Sequence, residues 1–149
     1  MTPTEVFMAY AMDFEKSYED DEWARCEQHF ADDAIYTIEG LSVFECTLKG
    51  PSAITKGMQK SVAGLDRKLD SRTVEITSEI TETGDRLNAD WLATYTYGDA
   101  PPLKLVGHSH VEVADDKIVL LVDSYTTEMD KEAIRWVSTY FPELDGSYV

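Results

Sequence analysis

Positive charge is scarce in this sequence. Lysine and arginine together number 13, against 29 aspartates and glutamates, which gives a formal net charge of -16 at pH 7. Nucleic acids and anionic membrane surfaces both recruit proteins through positive charge, so we expect neither as a partner. We attribute the acidity to solubility.

Cysteine is nearly absent, with only Cys26 and Cys46 in the chain. Two cysteines do not make a disulfide framework, and no metal-type cysteine spacing is present. No apolar run is long enough to span a bilayer, and the first residues lack the basic start and apolar centre of a secretory signal. We therefore expect a reduced, cytoplasmic protein with no metal and no membrane association.

The order of hydrophobic patterns indicates the fold class. A chain of 149 residues suits one domain with a real core, so we expect a single domain over 1–149. Helical patterns come first and a run of strand patterns follows, which is typical of an α+β domain. The long first helix and the third helix would pack into the concave side of one curved sheet. This packing makes a cone with an apolar mouth, suited to a small molecule.

The first helix has a clear start. Thr2 can cap it, Pro3 suits its first turn, and Glu5 completes a capping box. The pattern then predicts a short second helix after the acidic run 19–22, a turn at Asp32-Asp33, strands at 34–39 and 41–48, and a third helix opening at 49–52.

The second half of the chain alternates with period two. It predicts strands at 72–81 and 87–97, then a hairpin within 103–127. A last helix, capped by Asp130 and carrying Ile134, Val137 and Phe141, would end at Pro142. We expect the tail to Val149 to be loosely held. The domain core would span about 6–127, with the C-terminal helix and tail at 130–149.

The hairpin carries one carboxylate, Asp123, in an otherwise apolar second arm. A two-residue loop would put Asp123 beside His108, whereas a three-residue loop would put it on the face of Ser109, because a one-residue slip flips every side chain. We favour the three-residue loop 114–116, whose last position is left-handed and tolerates aspartate. Asp123 would then face inward, and a buried carboxylate is either paired or functional.

Several segments resemble the SnoaL-like group of the nuclear-transport-factor-2 superfamily. They are FADDAIY at 30–36, GPSAI at 50–54, and DKIV at 116–119 followed by DSY at 123–125. The resemblance extends over about 6–127 and implies a cystatin-like cone, in which a curved mixed or antiparallel sheet wraps around N-terminal helices. Members include ketosteroid isomerases, limonene epoxide hydrolases, polyketide cyclases and non-catalytic binders, so the fold alone does not define an activity.

The resemblance does not carry the ketosteroid isomerase machinery. The position of that family's general base is Ile38 here, with Glu39 beside it. Its oxyanion-hole tyrosine falls at Phe14, and its protonated aspartate falls at Ser109. All three groups are lost, so that mechanism is not expected.

Limonene epoxide hydrolases match better. Their water-activating aspartate matches Asp123, their acid matches Asp90, and a water-holding tyrosine matches Tyr36. The arginine that bridges their two carboxylates appears as Asn88, and their water-holding asparagine as Ile38. Without that arginine the two carboxylates would repel each other unless one is protonated.

The direction of Asp90 stays open at this point. Aromatic alternation in strand 87–97 makes Trp91 and Tyr95 core residues, which leaves Asn88 and Asp90 on the solvent face. The resemblance turns Asp90 inward and leaves Trp91 and Tyr95 for a dimer face. His108 and His110 lack a third ligand, so we interpret them as structural or interface residues and not as a metal pair.

We therefore expect binding of a small hydrophobic molecule, with acid–base catalysis of the hydrolase or isomerase/cyclase type that needs no cofactor. The alternative is a non-catalytic ligand-binding or dimerisation module. A homodimer through the sheet face would cover the apolar outer side of the hairpin. The candidate catalytic residues are Asp123, Asp90, Tyr36 and Asn88, and the candidate ligand-binding residues are Tyr10, Phe14, Tyr18, Leu92, Leu105, Ser109, Leu121 and Tyr125.

Overall fold

Helices precede a run of strands in this chain, which confirms the α+β class. The computed structural model describes every residue from Met1 to Val149. In chain order the elements are α1 Pro3–Asp20, α2 Ala24–Glu27, β1 Phe30–Glu39, β2 Cys46–Lys49, α3 Pro51–Gly64, a 3-10 turn Asp66–Lys68, β3 Ser71–Ile76, β4 Thr81–Thr83, β5 Arg86–Thr96, β6 Leu103–Ala114, β7 Lys117–Ser124 and α4 Thr127–Tyr140.

The seven strands form one mixed sheet. Its order is β2-β1-β7-β6-β5-β3, with β4 paired to β5. Every pair is antiparallel except β1 with β7, which run parallel. Helix α1 packs on β5, β6 and β7, while α3 packs on β1 and β2, so the two helices cover one face of the sheet. Inward-facing residues of these strands and the two helices form the core.

The predicted start of α1 is confirmed. The Thr2 hydroxyl accepts a hydrogen bond from the Glu5 backbone at 3.1 Å, and the Glu5 carboxylate accepts one from the Thr2 backbone at 3.2 Å. The helix ends where Asp21 adopts a left-handed conformation, with φ 63°. From this start, the helix directs Val6, Phe7 and Tyr10 towards the sheet, where all three are buried.

Two boundaries around β1 were wrong. Asp32 and Asp33, predicted as a turn, lie inside β1, where the register shifts between Phe30 and Ile35. The predicted return strand 41–48 is shorter, because its first residues form a turn in which the Phe44 amide donates to the Leu41 carbonyl at 2.9 Å. Burial of Leu41 and Phe44 explains this turn, since both side chains point into the core there.

The cap of α4 was also wrong. Thr126 caps this helix by accepting a hydrogen bond from the Met129 amide at 3.1 Å. Asp130 instead accepts two hydrogen bonds of 2.8 Å from the backbone and the hydroxyl of Ser42. The helix buries Met129, Ala133 and Trp136, whereas the predicted Ile134 stays exposed.

The C-terminal tail is packed, contrary to the prediction. Leu144 is buried, and the Asp145 amide donates to the Gly64 carbonyl at 3.2 Å. A Cβ on Gly64 would lie 1.9 Å from the Asp145 carbonyl oxygen, so glycine is what permits this close approach. The tail thereby carries Tyr148 back into the molecule.

Two departures from the predicted hairpin cancel each other. The loop has two residues, Asp115 and Asp116, both left-handed with φ 51° and 61°, so the predicted three-residue loop is wrong. A β-bulge follows, because Val113 pairs with Ile118 but Glu112 pairs with Leu120. The bulge shifts the register by one residue and sets Asp123 directly opposite Ser109.

None of the helices combines the length and the apolar character needed to cross a bilayer.

We predict that Asp116→Gly stabilises the protein by about 0.5–1 kcal/mol, because glycine adopts a left-handed conformation without the strain that a side chain brings. The substitution also removes the exposed ion pair between Asp116 and the N-terminal amine, which contributes little. Urea unfolding measures the change. Asp33→Gly, an exposed site inside β1, is the matched control and should destabilise. A loss of stability in Asp116→Gly would contradict the assigned turn.

Candidate functional site

A cavity of about 550 Å³ lies between the concave face of the sheet and helices α1 and α3. Of its 26 lining residues, 19 are hydrophobic, so a ligand would make mostly apolar contacts. The walls come from α1, α3, the long strands and the C-terminal tail.

Asp123 is the central polar group of this cavity. Its Oδ1 accepts a hydrogen bond of 2.6 Å from the Ser109 hydroxyl, and its Oδ2 accepts one of 2.7 Å from the Tyr36 hydroxyl. The indole of Trp91 in turn donates to the Ser109 oxygen at 3.0 Å. Pairing of β7 with β6 on one side and with β1 on the other brings these side chains together.

No cationic side chain neutralises Asp123. None of the ion pairs in the structure includes it. The residue is half-buried and faces the cavity, so water solvates it less than it solvates a surface carboxylate. Burial raises the pKa of Asp123 above its ordinary value, and the hydrogen bonds from Ser109 and Tyr36 oppose that rise.

Five aromatic side chains continue around the cavity from this carboxylate, and we call them the aromatic cage. Tyr36 contacts Tyr148 at a centroid distance of 5.9 Å, Tyr148 contacts Phe44 at 6.0 Å, and Phe44 contacts Tyr125 at 6.5 Å. Tyr125 contacts Trp91 at 5.6 Å in an edge-to-face arrangement. Tyr36 bonds to Asp123 directly and Trp91 does so through the serine, so the cage closes at the carboxylate.

The position of Trp91 depends on a glycine. A Cβ on Gly107 would lie 2.4 Å from Cζ2 of Trp91, so the indole rests against bare backbone of β6. A larger residue at this position would displace the ring from the cavity wall.

A second polar cluster lies on the cavity wall around Arg72. The Nη1 atom of Arg72 donates a hydrogen bond to each carboxylate oxygen of Glu15, both at 2.8 Å. The Nε atom of Arg72 lies 2.8 Å from Oδ2 of Asp66 and forms an ion pair with it, but the angle at the N–H group is too small for a hydrogen bond. The guanidinium carbon lies over the rings of Phe14 and Tyr18 at 5.3 and 5.2 Å. Burial raises the pKa of Asp66, and the charge of Arg72 opposes that rise.

The four candidate catalytic residues separate into two pairs. Asp123 and Tyr36 meet in the cavity, but Asn88 and Asp90 lie on the opposite face of the sheet. The alternation of β5 explains this, because Ala89 pairs with the inward Ser109 and Asp90 pairs with the outward His108. The hypothesis that Asp90 is a partner of Asp123 is therefore wrong, and Asn88 is likewise outside the site.

Asn88 and Asp90 belong to a hydrogen-bonded chain on the outer face. His108 contacts Asp90 at 2.7 Å and Asn88 at 3.0 Å, while His110 contacts Asn88 at 3.1 Å and Glu112 at 2.9 Å. No group of three or more histidine, cysteine or acidic residues is arranged to hold a metal ion. The two histidines therefore have partners within the sheet.

Six of the eight candidate ligand-binding residues line the cavity, namely Tyr10, Phe14, Leu105, Ser109, Leu121 and Tyr125. Leu92 does not, because it lies on the outer face of β5, where it pairs with Val106. Tyr18 is also outside the lining, since its ring packs under Arg67 and Arg72. Those two assignments are corrected.

Some lining residues were missed from the sequence. Trp91 carried a signal, because the aromatic alternation of its strand already indicated an inward face. Arg72 shares the alternating face of Val74 and Ile76 and was identifiable in the same way. Tyr148 had no local signal, since its place depends on the return of the tail.

No protein-family model matches the sequence, and no curated protein does, but several solved structures share the fold. A protein from Catenulispora acidiphila with a ketosteroid isomerase-like fold, in complex with trimethylamine, is 19% identical with a TM-score of 0.62, over 85% of this chain and 88% of its own.

Two further solved structures are similar. An NTF2-like protein of unknown function from Burkholderia pseudomallei has a TM-score of 0.67 at 15% identity, over 93% of this chain and 100% of its own. An epoxide hydrolase from M. tuberculosis, of the LEH-like type, has a TM-score of 0.59 at 16% identity, over 91% and 93%. Polyketide cyclases, one of them SnoaL-like, are among the other matches. The chain therefore has the NTF2-like fold expected from its SnoaL-like resemblance.

Proposed function

We propose that this protein binds a hydrophobic small molecule in the cavity and that Asp123 exchanges a proton with it. The observation that carries the proposal is a carboxylate without a cationic partner, set in a largely apolar cavity and held by two hydroxyl donors. Ionisable groups with shifted pKa values in clefts are candidates for catalysis. The Catenulispora neighbour, solved in complex with trimethylamine, supports a small organic ligand in this fold.

A single carboxylate suits proton transfer within one substrate. Ionised Asp123 would take a proton from an acidic carbon or a hydroxyl of the ligand and return it at another position. The hydroxyls of Tyr10, Tyr125 and Tyr148, whose pKa values burial raises, stay protonated and would donate hydrogen bonds to a developing oxyanion. This chemistry is of the isomerase or cyclase type and uses no cofactor.

Epoxide hydrolysis is less well supported. In that reaction a second acid protonates the epoxide oxygen while the first activates water, and Asp90 lies on the wrong face of the sheet to do so. The absence of a second carboxylate beside Asp123 also favours our alternative, in which the cavity binds its ligand without catalysis. Turnover separates the two, because a pure binder would release the ligand unchanged.

We also propose a homodimer through the outer face of the sheet and a cytoplasmic location. The outer face exposes Val106 by 56% and Ile35 by 37%, and Leu92, Leu120 and Val122 lie on the same side. An exposed apolar face of this kind is typical of an interface. A two-fold axis would bury the same patch on both copies.

Native mass spectrometry of the freshly purified protein should reveal a bound organic molecule. Ala93→Leu fills the cavity from β5 and should abolish that mass shift, because Ala93 is a lining residue. Thr94→Leu, on the opposite face of the same strand, is the matched control and should retain it. Thermal melts verify that both variants fold. A wild-type protein that carries no molecule and does not bind the neutral dye Nile red would contradict the proposal.

Asp123→Asn should stabilise the protein at neutral pH. Since burial raises the folded-state pKa of Asp123 above its unfolded value, the folded state favours the protonated form. The resulting stability is complete below the unfolded pKa and is lost as pH rises through the folded pKa. Asparagine does not ionise, so the Asp123→Asn variant keeps the stability that the wild type loses at neutral pH. Each 1 kcal/mol of folding free energy kept in this way raises the melting temperature by about 2–4 °C.

The measurement is a series of thermal melts from pH 4 to pH 8. The gain in Asp123→Asn should be largest at pH 8 and shrink towards pH 4, whereas Asp33→Asn on the exposed side of β1 should show no such trend. A variant that is less stable than wild type at pH 8 would show that the ionised carboxylate is well solvated.

Val106→Glu should convert the dimer to a monomer, because it places a charge at the most exposed apolar residue of the outer face. Sedimentation equilibrium should give twice the chain mass of 16.8 kDa for the wild type and 16.8 kDa for the variant. Ile134→Glu replaces an apolar residue of similar exposure on α4 and should leave the dimer intact. A monomeric wild type at tens of micromolar would rule out this interface.

A further inference from the structure

The charges around the cavity are unequal. Its charged lining residues are Glu15, Asp66, Arg72 and Asp123, three carboxylates against one guanidinium. The guanidinium is already engaged by Glu15 and Asp66. Asp123 is left with two neutral donors, and each of its oxygens can accept a further hydrogen bond. The cavity therefore disfavours anions and has an unmet demand for positive charge.

Besides negative charge, a site for an organic cation needs aromatic rings around it, and the aromatic cage supplies them. Tyr36, Phe44, Trp91, Tyr125 and Tyr148 all line the cavity and follow one another at centroid distances of 5.6 to 6.5 Å. The faces of aromatic rings carry partial negative charge and attract organic ammonium groups, tryptophan most strongly. Such groups hold little water, so they enter an apolar cavity more readily than a metal ion does.

We propose that the aromatic cage and Asp123 together bind the ammonium group of an organic amine or quaternary ammonium ligand, whose apolar body fills the rest of the cavity. This inference rests on the proposed function, since it specifies the chemistry of the ligand of the same site. The ammonium group would sit beside Asp123 and take the place of the cationic side chain that the carboxylate lacks. An N–H group on the ligand would donate to one of its free lone pairs.

The competing arrangement is a protonated Asp123 that hydrogen-bonds to a neutral ligand. Both arrangements relieve the cost of an enclosed charge, but they differ in ligand preference. A protonated carboxyl has no reason to prefer a cation over a neutral molecule of equal shape. The ionised carboxylate does, and its preference should disappear when asparagine replaces it.

The test uses three probes of nearly equal shape on the full chain at pH 7.5. They are phenyltrimethylammonium, its neutral isostere tert-butylbenzene, and the anion benzenesulfonate, with binding followed by tryptophan fluorescence and calorimetry. We expect the cation to bind at least tenfold more tightly than the neutral probe, and the anion to bind weakest. In Asp123→Asn the affinity for the cation should fall at least tenfold, while that for tert-butylbenzene stays within about threefold.

A matched pair of variants tests the aromatic contribution. The Tyr125 side chain makes no hydrogen bond to Asp123, so Tyr125→Leu removes a ring without changing the support of the carboxylate. It should weaken cation binding about threefold or more, whereas Tyr125→Phe keeps the ring and should keep the affinity. If Tyr125→Leu does not fold, Tyr148→Leu with Tyr148→Phe replaces the pair.

Each outcome separates this inference from the proposed function. Equal or tighter binding of tert-butylbenzene overturns the inference and leaves the small-molecule cavity in place. The same holds if Asp123→Asn binds the cation as tightly as wild type does. Failure of the cation and the neutral probe alike overturns both proposals. A primary amine, phenethylammonium, that binds more tightly than phenyltrimethylammonium would identify an N–H donor to Asp123 as part of recognition.

Discussion

The enclosure of the Asp123 carboxylate is the constraint on which the rest of this structure depends. A charged group away from bulk water must be paired, protonated or solvated by fixed dipoles. Here two hydroxyls from neighbouring strands supply the dipoles, and the indole behind one of them fixes its orientation. Three strands must therefore keep their register for the site to exist, and the bulge in β7 is the element that sets it.

The closure of the cavity depends on the C-terminal tail, which is not part of the sheet. The tail reaches the core because Gly64 and Gly146 allow backbone and side chains to approach closely, and it delivers Tyr148 to the aromatic cage. Tyr148 of the tail completes the cavity wall between Tyr36 and Phe44, where the sheet leaves the cavity open.

Much of the fold could be predicted from local signals. The capping box of α1, the alternation of β5 and the order of the helices and long strands each depend on neighbouring residues, and each matches the structure. The single strand predicted at 72–81 was wrong, because β3 ends at Ile76 and the short strand β4 follows at Thr81–Thr83. The inward direction of Asp123 was predicted from a loop that is wrong, since a bulge that leaves no sequence signature corrected the register. Tyr148 was out of reach, because its position depends on contacts between the tail and residues 36–65, which are distant in the sequence.

Asp90 illustrates the limit of resemblance. The match to epoxide hydrolases suggested a second acid, whereas the alternation of aromatic residues in the same strand indicated an outward side chain, and packing followed the alternation. Hydrophobic burial therefore decided the direction of the Asp90 side chain, and Asp123 has no second carboxylate beside it. Glu15 and Asp66 also line the cavity, but both are paired with Arg72. One unpaired carboxylate among many aromatic rings supports simpler chemistry, or simpler recognition, than a pair of catalytic acids would.

The most direct test of this account is a titration of the Asp123 carboxyl carbon by nuclear magnetic resonance, assigned with the Asp123→Asn variant. The midpoint should lie above the ordinary pKa of aspartate, because burial disfavours the charge more than the hydrogen bonds from Ser109 and Tyr36 and the charge of His108 favour it. A midpoint at or below that ordinary value would mean that the carboxylate is well solvated or paired, and it would contradict the central claim.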